Sequence, residues 1–179
     1  MKQYCLGLLI LFLASSLGAQ SYLSRNGTIS FFSDAPLEKI EAHNRQVASK
    51  IDVQKGTLEF ELLIKAFQFE KALMEKQFNE EYLQSDRYPK ANFTGQIIGY
   101  SKLQLEQNGS YPVTVKGVLF LHGVSQRVIE KGTVQVENGK VVNVRSVFSI
   151  DLEDYHIKVP VILKNKIAQN VQIEVNVDF

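Results

Sequence analysis

Cysteine, tryptophan and net charge are all scarce in this chain. Its 179 residues include one cysteine, no tryptophan and four prolines, and 20 basic residues stand against 19 acidic ones. A single cysteine excludes a disulfide-stapled mini-protein. Near-zero net charge excludes a general nucleic-acid binder, because such proteins carry a basic excess to neutralise phosphates. A hydrophobic content of 45% excludes a disordered or collagen-like chain and allows a real core within one domain. Eleven phenylalanines and seven tyrosines are left to do the aromatic packing.

Only one long apolar run is present, and it lies at the start. Lys2 is followed by Leu6–Leu13 (LGLLILFL) and by the small-residue exit Ser15-Ser16-Leu17-Gly18-Ala19. This is the layout of a secretory signal cleaved after Ala19. The run falls short of the roughly 20 residues that span a bilayer. Residues 1–19 are thus expected to leave, and residues 20–179 to form one exported domain without a transmembrane anchor. Cys5 and Lys2 leave with the signal, so the mature chain would be free of thiol and balanced in charge. A periplasmic or secreted location follows as an expectation.

Most of the remaining chain alternates with period two, the pattern of a half-buried strand. Strands are expected at Thr28–Phe32, Val47–Val53, Thr57–Ile64, Ala91–Ile98, Val113–Leu121, Arg127–Glu137, Val141–Leu152 and Val171–Phe179. The last sets Val171, Ile173, Val175 and Val177 against Gln172, Glu174, Asn176 and Asp178. One face for a core and one for water favours antiparallel pairing. Asn138-Gly139 is a strong hairpin signal, because both central positions of a type I′ turn need positive φ. Asn26-Gly27 and Gln107–Ser110 read as further turns, as does His122-Gly123.

Two segments depart from alternation. Pro36–His43 reads as a turn or two of helix opened by proline. Lys71–Gln84 reads as the main helix, with Met74, Phe78 and Tyr82 on one apolar stripe. Strands, one helix and strands again predict an all-β antiparallel barrel of about eight strands with one α-helix inserted between strands, or a sandwich.

Catalytic and metal-binding patterns are missing. There is no GxSxG, and His43, His122 and His156 lie far apart without HxH or HExxH spacing. Glu80 and Glu81 are adjacent on the predicted helix and point about 100° apart, so they read as a solvated face. The sequence suggests no enzyme, cofactor or metal, and it assigns no oligomeric state. Three Asn-X-Ser/Thr triplets, at Asn26, Asn92 and Asn108, read as chance.

Apolar positions give the positive signal. Strand faces supply Phe31, Phe60, Leu62, Phe93, Leu119, Leu121, Phe148 and Ile173. Phe67 and Phe69 precede the helix, which adds Met74, Phe78 and Tyr82. Singly, each reads as core filler. Together, an aromatic-rich barrel with a helix beside it suggests a pocket and a lid. Lys158, Lys164, Asn165 and Lys166 form a basic stretch near Pro160, read as a solvated loop or as a cationic rim.

Met74–Leu83 with Tyr88-Pro89-Lys90-Ala91-Asn92-Phe93, then Val115–Val124 (VKGVLFLHGV), then Phe148-Ser149-Ile150 with Asp154-Tyr155-His156-Ile157 form three blocks in order. Together they resemble the YceI-like family. The resemblance implies a lipocalin-like barrel, outside the cytoplasm, that holds an isoprenoid or another long-chain apolar molecule in its interior. The alternative is a barrel filled by its own side chains, acting through its outer loops on a partner in the envelope.

Overall fold

Alternating burial along nearly every segment builds one continuous antiparallel sheet. The structure, a computed structural model, describes residues 21–99 and 105–179. The expected signal segment therefore lies outside the described residues. The strands are β1 (Ser21–Asp34), β2 (Lys39–Asp52), β3 (Thr57–Leu63), β4 (Gln68–Phe69), β5 (Lys90–Ile98), β6 (Gly109–Leu121), β7 (Val124–Glu137), β8 (Lys140–Asp151) and β9 (Asn170–Asp178). The order is β1-β9-β8-β7-β6-β5-β3-β2, and β2 pairs back with β1 to close an eight-stranded barrel. The two-residue β4 attaches to β2 through Ala42 and His43.

Every expected strand is present, most of them longer than expected. The Asn138-Gly139 hairpin has φ of 50° and 75°, as a type I′ turn requires. His122 and Gly123 repeat the arrangement between β6 and β7, with φ of 51° and 78°.

Three local expectations are corrected. Pro36–His43 is not helical: only Ala35–Glu38 turn, and β2 begins at Lys39. Ala42 and Asn44 are fully buried while Lys39 and Glu41 face out, so period two outweighs a helical turn too short to nucleate alone. Asn26-Gly27 is an irregularity inside β1, with register shifts on both sides of Gly27. A Cβ at Gly27 would sit 2.7 Å from Val177 Cγ2, so this glycine serves a close approach. In the Gln107–Ser110 segment, Gly109 and Ser110 already belong to β6 and pair with Val136 and Gln135 of β7. Asn108 remains in the loop, where its Oδ1 accepts the Asn138 N–H at 2.7 Å.

The main helix, α1 (Ala72–Gln77), passes directly into a π-helical turn over Phe78–Tyr82. The Leu83 N–H reaches the Phe78 carbonyl at 2.8 Å, five residues back. The wider turn changes the phase of the stripe, so Leu83 is buried while Tyr82 is only half-buried. Left-handed Gln84, with φ of 45°, ends the helix before Pro89 can.

Two apolar clusters divide the interior. Ile51, Val53, Val134, Val136 and Val141, all fully buried, fill the end holding the β2–β3 and β7–β8 turns. The second cluster includes Ile64, Phe67, Leu83, Leu152, Tyr155 and Ile157. It lies at the opposite end, where the helix and the β8–β9 connection return to the barrel.

Candidate functional site

Between the two clusters the barrel is not filled. A cavity of about 620 Å³ runs along its interior, within the roughly 300–1,000 Å³ typical of small-molecule sites. Its wall on β8 extends from Val144 to the adjoining Leu152, about 26 Å of strand at roughly 3.3 Å per residue. The cavity is therefore elongated along the barrel.

The thirteen apolar residues singled out from the sequence meet on this one wall. Phe31, Phe60, Leu62, Phe93, Leu119, Leu121, Phe148 and Ile173 approach from the strands, and Phe67, Phe69, Met74, Phe78 and Tyr82 from the β3–β5 connection. Strand parity brings the first group inward. The second group is organised by Phe78. Its ring lies 5.4 Å from Phe31 and nearly parallel to it, 5.5 Å from Phe67 edge-on, and 5.0 Å from Phe69. The helix thus packs into the wall and also faces the cavity.

Two glycines give the cavity its aromatic floor. Gly95 on β5 and Gly117 on β6 are paired, and a Cβ on either would come within 2.5 Å of the Phe93 ring. The far end of the Phe93 ring sits over the two bare backbones. The alternation reading named Phe93 but gave no reason for these glycines, whose signal was their place on the inward face.

The reading also missed Glu130. On β7 the inward series is Val128, Glu130, Gly132, Val134 and Val136, so one carboxylate stands among apolar neighbours. Burial pushes its pKa above the ordinary value. No ion pair or hydrogen bond joins Glu130 to another described side chain. The signal was in the sequence, as a glutamate out of phase with its strand.

Glu130 stands where the wall parts. β7 and β8 pair only from Gly132–Ser146 to Glu137–Lys140. Val124–Lys131 therefore pairs with β6 alone, and Val147–Asp151 with β9 alone. Lys131 and Arg145, whose side chains point outward, still border the cavity at this seam. The gap is tied above by Gln126 Nε2 donating to the Asp154 carbonyl at 2.7 Å, and by His122 Nδ1 meeting the Tyr155 carbonyl at 3.0 Å. Tyr155 itself is buried, and desolvation, with the nearby charges of Asp154 and Glu130, pushes its phenol up to about 12.

The polar candidates do not converge. His43 bonds Ser30 and Glu41, His122 holds a turn against Tyr88, and His156 caps a short 3₁₀ turn. Among the described residues no group of three His, Cys, Asp or Glu is arranged to hold a metal. Glu80 and Glu81 are exposed on the helix, and Lys76 lies 3.9 Å from Glu80. No described helix is long and apolar enough to cross a membrane.

A closed eight-stranded antiparallel barrel with an apolar interior, partly covered by a helix, is a lipocalin-like architecture. The family model of the YceI-like domain matches residues 23–179, and the chain belongs to that family. Its fold is shared with a polyisoprenoid-binding domain from Saccharophagus degradans implicated in plant cell wall breakdown. That pair has a TM-score of 0.73 and 15% identity over 87% of this chain and 95% of the other. BcnA of Burkholderia cenocepacia superposes with a TM-score of 0.67 and 18% identity over 84% and 94% of the two chains. A YceI protein of Campylobacter jejuni gives 0.51 and 17% over 100% and 99%. No curated protein matches the sequence.

Proposed function

We propose that this protein is an exported, non-enzymatic carrier that holds one isoprenoid or other long-chain apolar molecule inside its barrel. The elongated, almost wholly apolar cavity supports this reading most strongly. Apolar walls draw in an apolar chain by removing its surface from water, about 25 cal/mol for each Å². The shape favours an extended chain over a compact ring system. The thirteen aromatic and aliphatic residues are the proposed ligand contacts. The relation to a domain named for polyisoprenoid binding supports the same ligand class. The N-terminal pattern ending at Ala19 supports export to the periplasm or beyond.

Holding such a ligand needs no bond making, and the residues present suit that role. Glu130 is the one ionisable side chain set among the inward-facing apolar positions of β7. Among the described residues no base or nucleophile is paired with it. Solvent extraction of protein purified from its native host, followed by mass spectrometry, tests the proposal. A stoichiometric long-chain lipid is the expected result. A protein that carries no lipid and takes up no added isoprenoid overturns it.

A further inference from the structure

The β8–β9 connection has features that holding a ligand in the cavity does not require. Between Asp154 and Glu174 the chain has no acidic residue, but it has Lys158, Lys164 and Lys166. None of these three lysines has an ion-pair partner among the described residues. Between them a 3₁₀ turn spans Val161–Leu163. It is closed by Leu163 N–H to the Pro160 carbonyl at 2.8 Å, and followed by Lys166 N–H to the Leu163 carbonyl at 2.8 Å. The turn sends Leu163 to the cavity wall and leaves Val161 and Ile162 pointing out, 82% and 87% exposed. They are the most exposed large apolar side chains described.

The turn adjoins one edge of the cavity. Lys166 and Ile167 border it with Leu163. The Leu37 N–H donates to the Asn165 carbonyl at 2.8 Å, which places Leu37, itself 70% exposed, beside the loop. Glu38 next to it is paired with Lys71 at 3.6 Å, which ties this corner to the start of the helix, where Leu73 is 66% exposed and also borders the cavity. The acids near the corner are Glu38, paired with Lys71, Asp34, paired with Lys39 at 3.5 Å, and exposed Glu70.

We infer that the loop Lys158–Lys166 docks the barrel on an anionic lipid bilayer, with Val161 and Ile162 inserted among the acyl chains and the lysines against the headgroups. Apolar residues at a tip flanked by unpaired lysines match the two layers of an anionic membrane surface, with hydrocarbon below and negative charge above. Docked this way, the cavity edge bordered by Leu163, Lys166 and Leu73 faces the bilayer, and an apolar ligand passes there between membrane and barrel without crossing water. The inference extends the carrier reading, but its test is independent of it.

The chain from Gln20 onward, which contains every described residue, is mixed with vesicles of phosphatidylcholine alone or with 30 mol% phosphatidylglycerol, and bound protein is measured by co-sedimentation. Partition onto the anionic vesicles should be at least roughly tenfold stronger and should fall with added salt. Ile162→Asp, and separately Lys158→Glu with Lys164→Glu, neither of which lines the cavity, should each lower it by roughly tenfold or more. Both lie on exposed positions, so circular dichroism and uptake of an apolar fluorophore in vesicle-free solution should be unchanged. Equal partition onto both vesicles overturns the inference. So does failure to bind either, as expected for a protein partner, or binding that Ile162→Asp leaves intact. Failure of fluorophore uptake in solution would count against the carrier reading alone.

Discussion

Phe78 stacks on Phe31 with ring centroids 5.4 Å apart and planes 15° from parallel, joining the inserted helix to β1. A helix of this length has little stability of its own. It is held by this ring and its neighbours, Phe67 and Phe69. One side of Phe78 is packed and the other faces the cavity, so truncation should be felt in both stability and binding. Phe78→Ala should lower stability by about 3 kcal/mol, the low end for loss of a buried aromatic. It should also weaken uptake of an apolar probe by about 1–3 kcal/mol. Denaturant midpoints and probe titrations on the same preparation check both effects.

The Phe93 floor makes a sharper steric prediction. A methyl group at Gly117 would lie 2.5 Å from the Phe93 ring and 2.5 Å from the Thr94 carbonyl oxygen, a backbone atom that cannot step aside. Gly117→Ala should therefore cost about 1–3 kcal/mol and push the ring into the cavity, reducing uptake. Gly109→Ala on the same strand is the control. Its Cβ would meet nothing closer than 3.7 Å, and stability should not fall. Urea unfolding of the two variants separates the cases.

Glu130 gives a pH dependence of defined sign. Its carboxyl binds a proton more tightly in the folded barrel than in the unfolded chain, because burial penalises the charged form. This contribution therefore favours the fold below the ordinary carboxylate range and is lost as pH rises through the raised value. Lys131 and Arg145 also border the cavity here, but Arg145 is engaged by Glu174 at 2.6 Å. Glu130→Gln should be more stable than the parent at neutral pH, with the difference shrinking as pH falls toward 4. Thermal unfolding of both proteins across that interval checks it, and the subtraction cancels the other carboxylates.

Much of this site was legible because a strand's period is two. Once Phe148 or Ile173 is assigned to the inner face, its neighbours two residues away follow, and the cavity wall assembles from sequence. The helix was legible from Met74, Phe78 and Tyr82, but its π-turn was not: the i, i+4 spacing reads as an ordinary helix, whereas the wider turn shifts burial from Tyr82 to Leu83. Pro36–His43 was misread because proline at a helix start and proline in a strand-to-strand turn look alike locally. Ala42 and Asn44 decide the matter, because they pair with Phe31 and Ile29 of β1, and Ala42 also with Phe69 of the very short β4, partners that lie outside the segment itself. The parting of β7 from β8 had no local signal. Both segments alternate normally, and whether they pair depends on barrel closure.

Native mass spectrometry with a long-chain isoprenoid alcohol tests the account most directly. The parent protein should gain the mass of one molecule, and Leu119→Trp, which projects a larger side chain from the β6 wall into the cavity, should lose that adduct while keeping the barrel's circular dichroism. An absence of adduct in the parent, or an adduct that persists undiminished in a folded Leu119→Trp protein, would contradict the claim that the ligand lies inside the barrel.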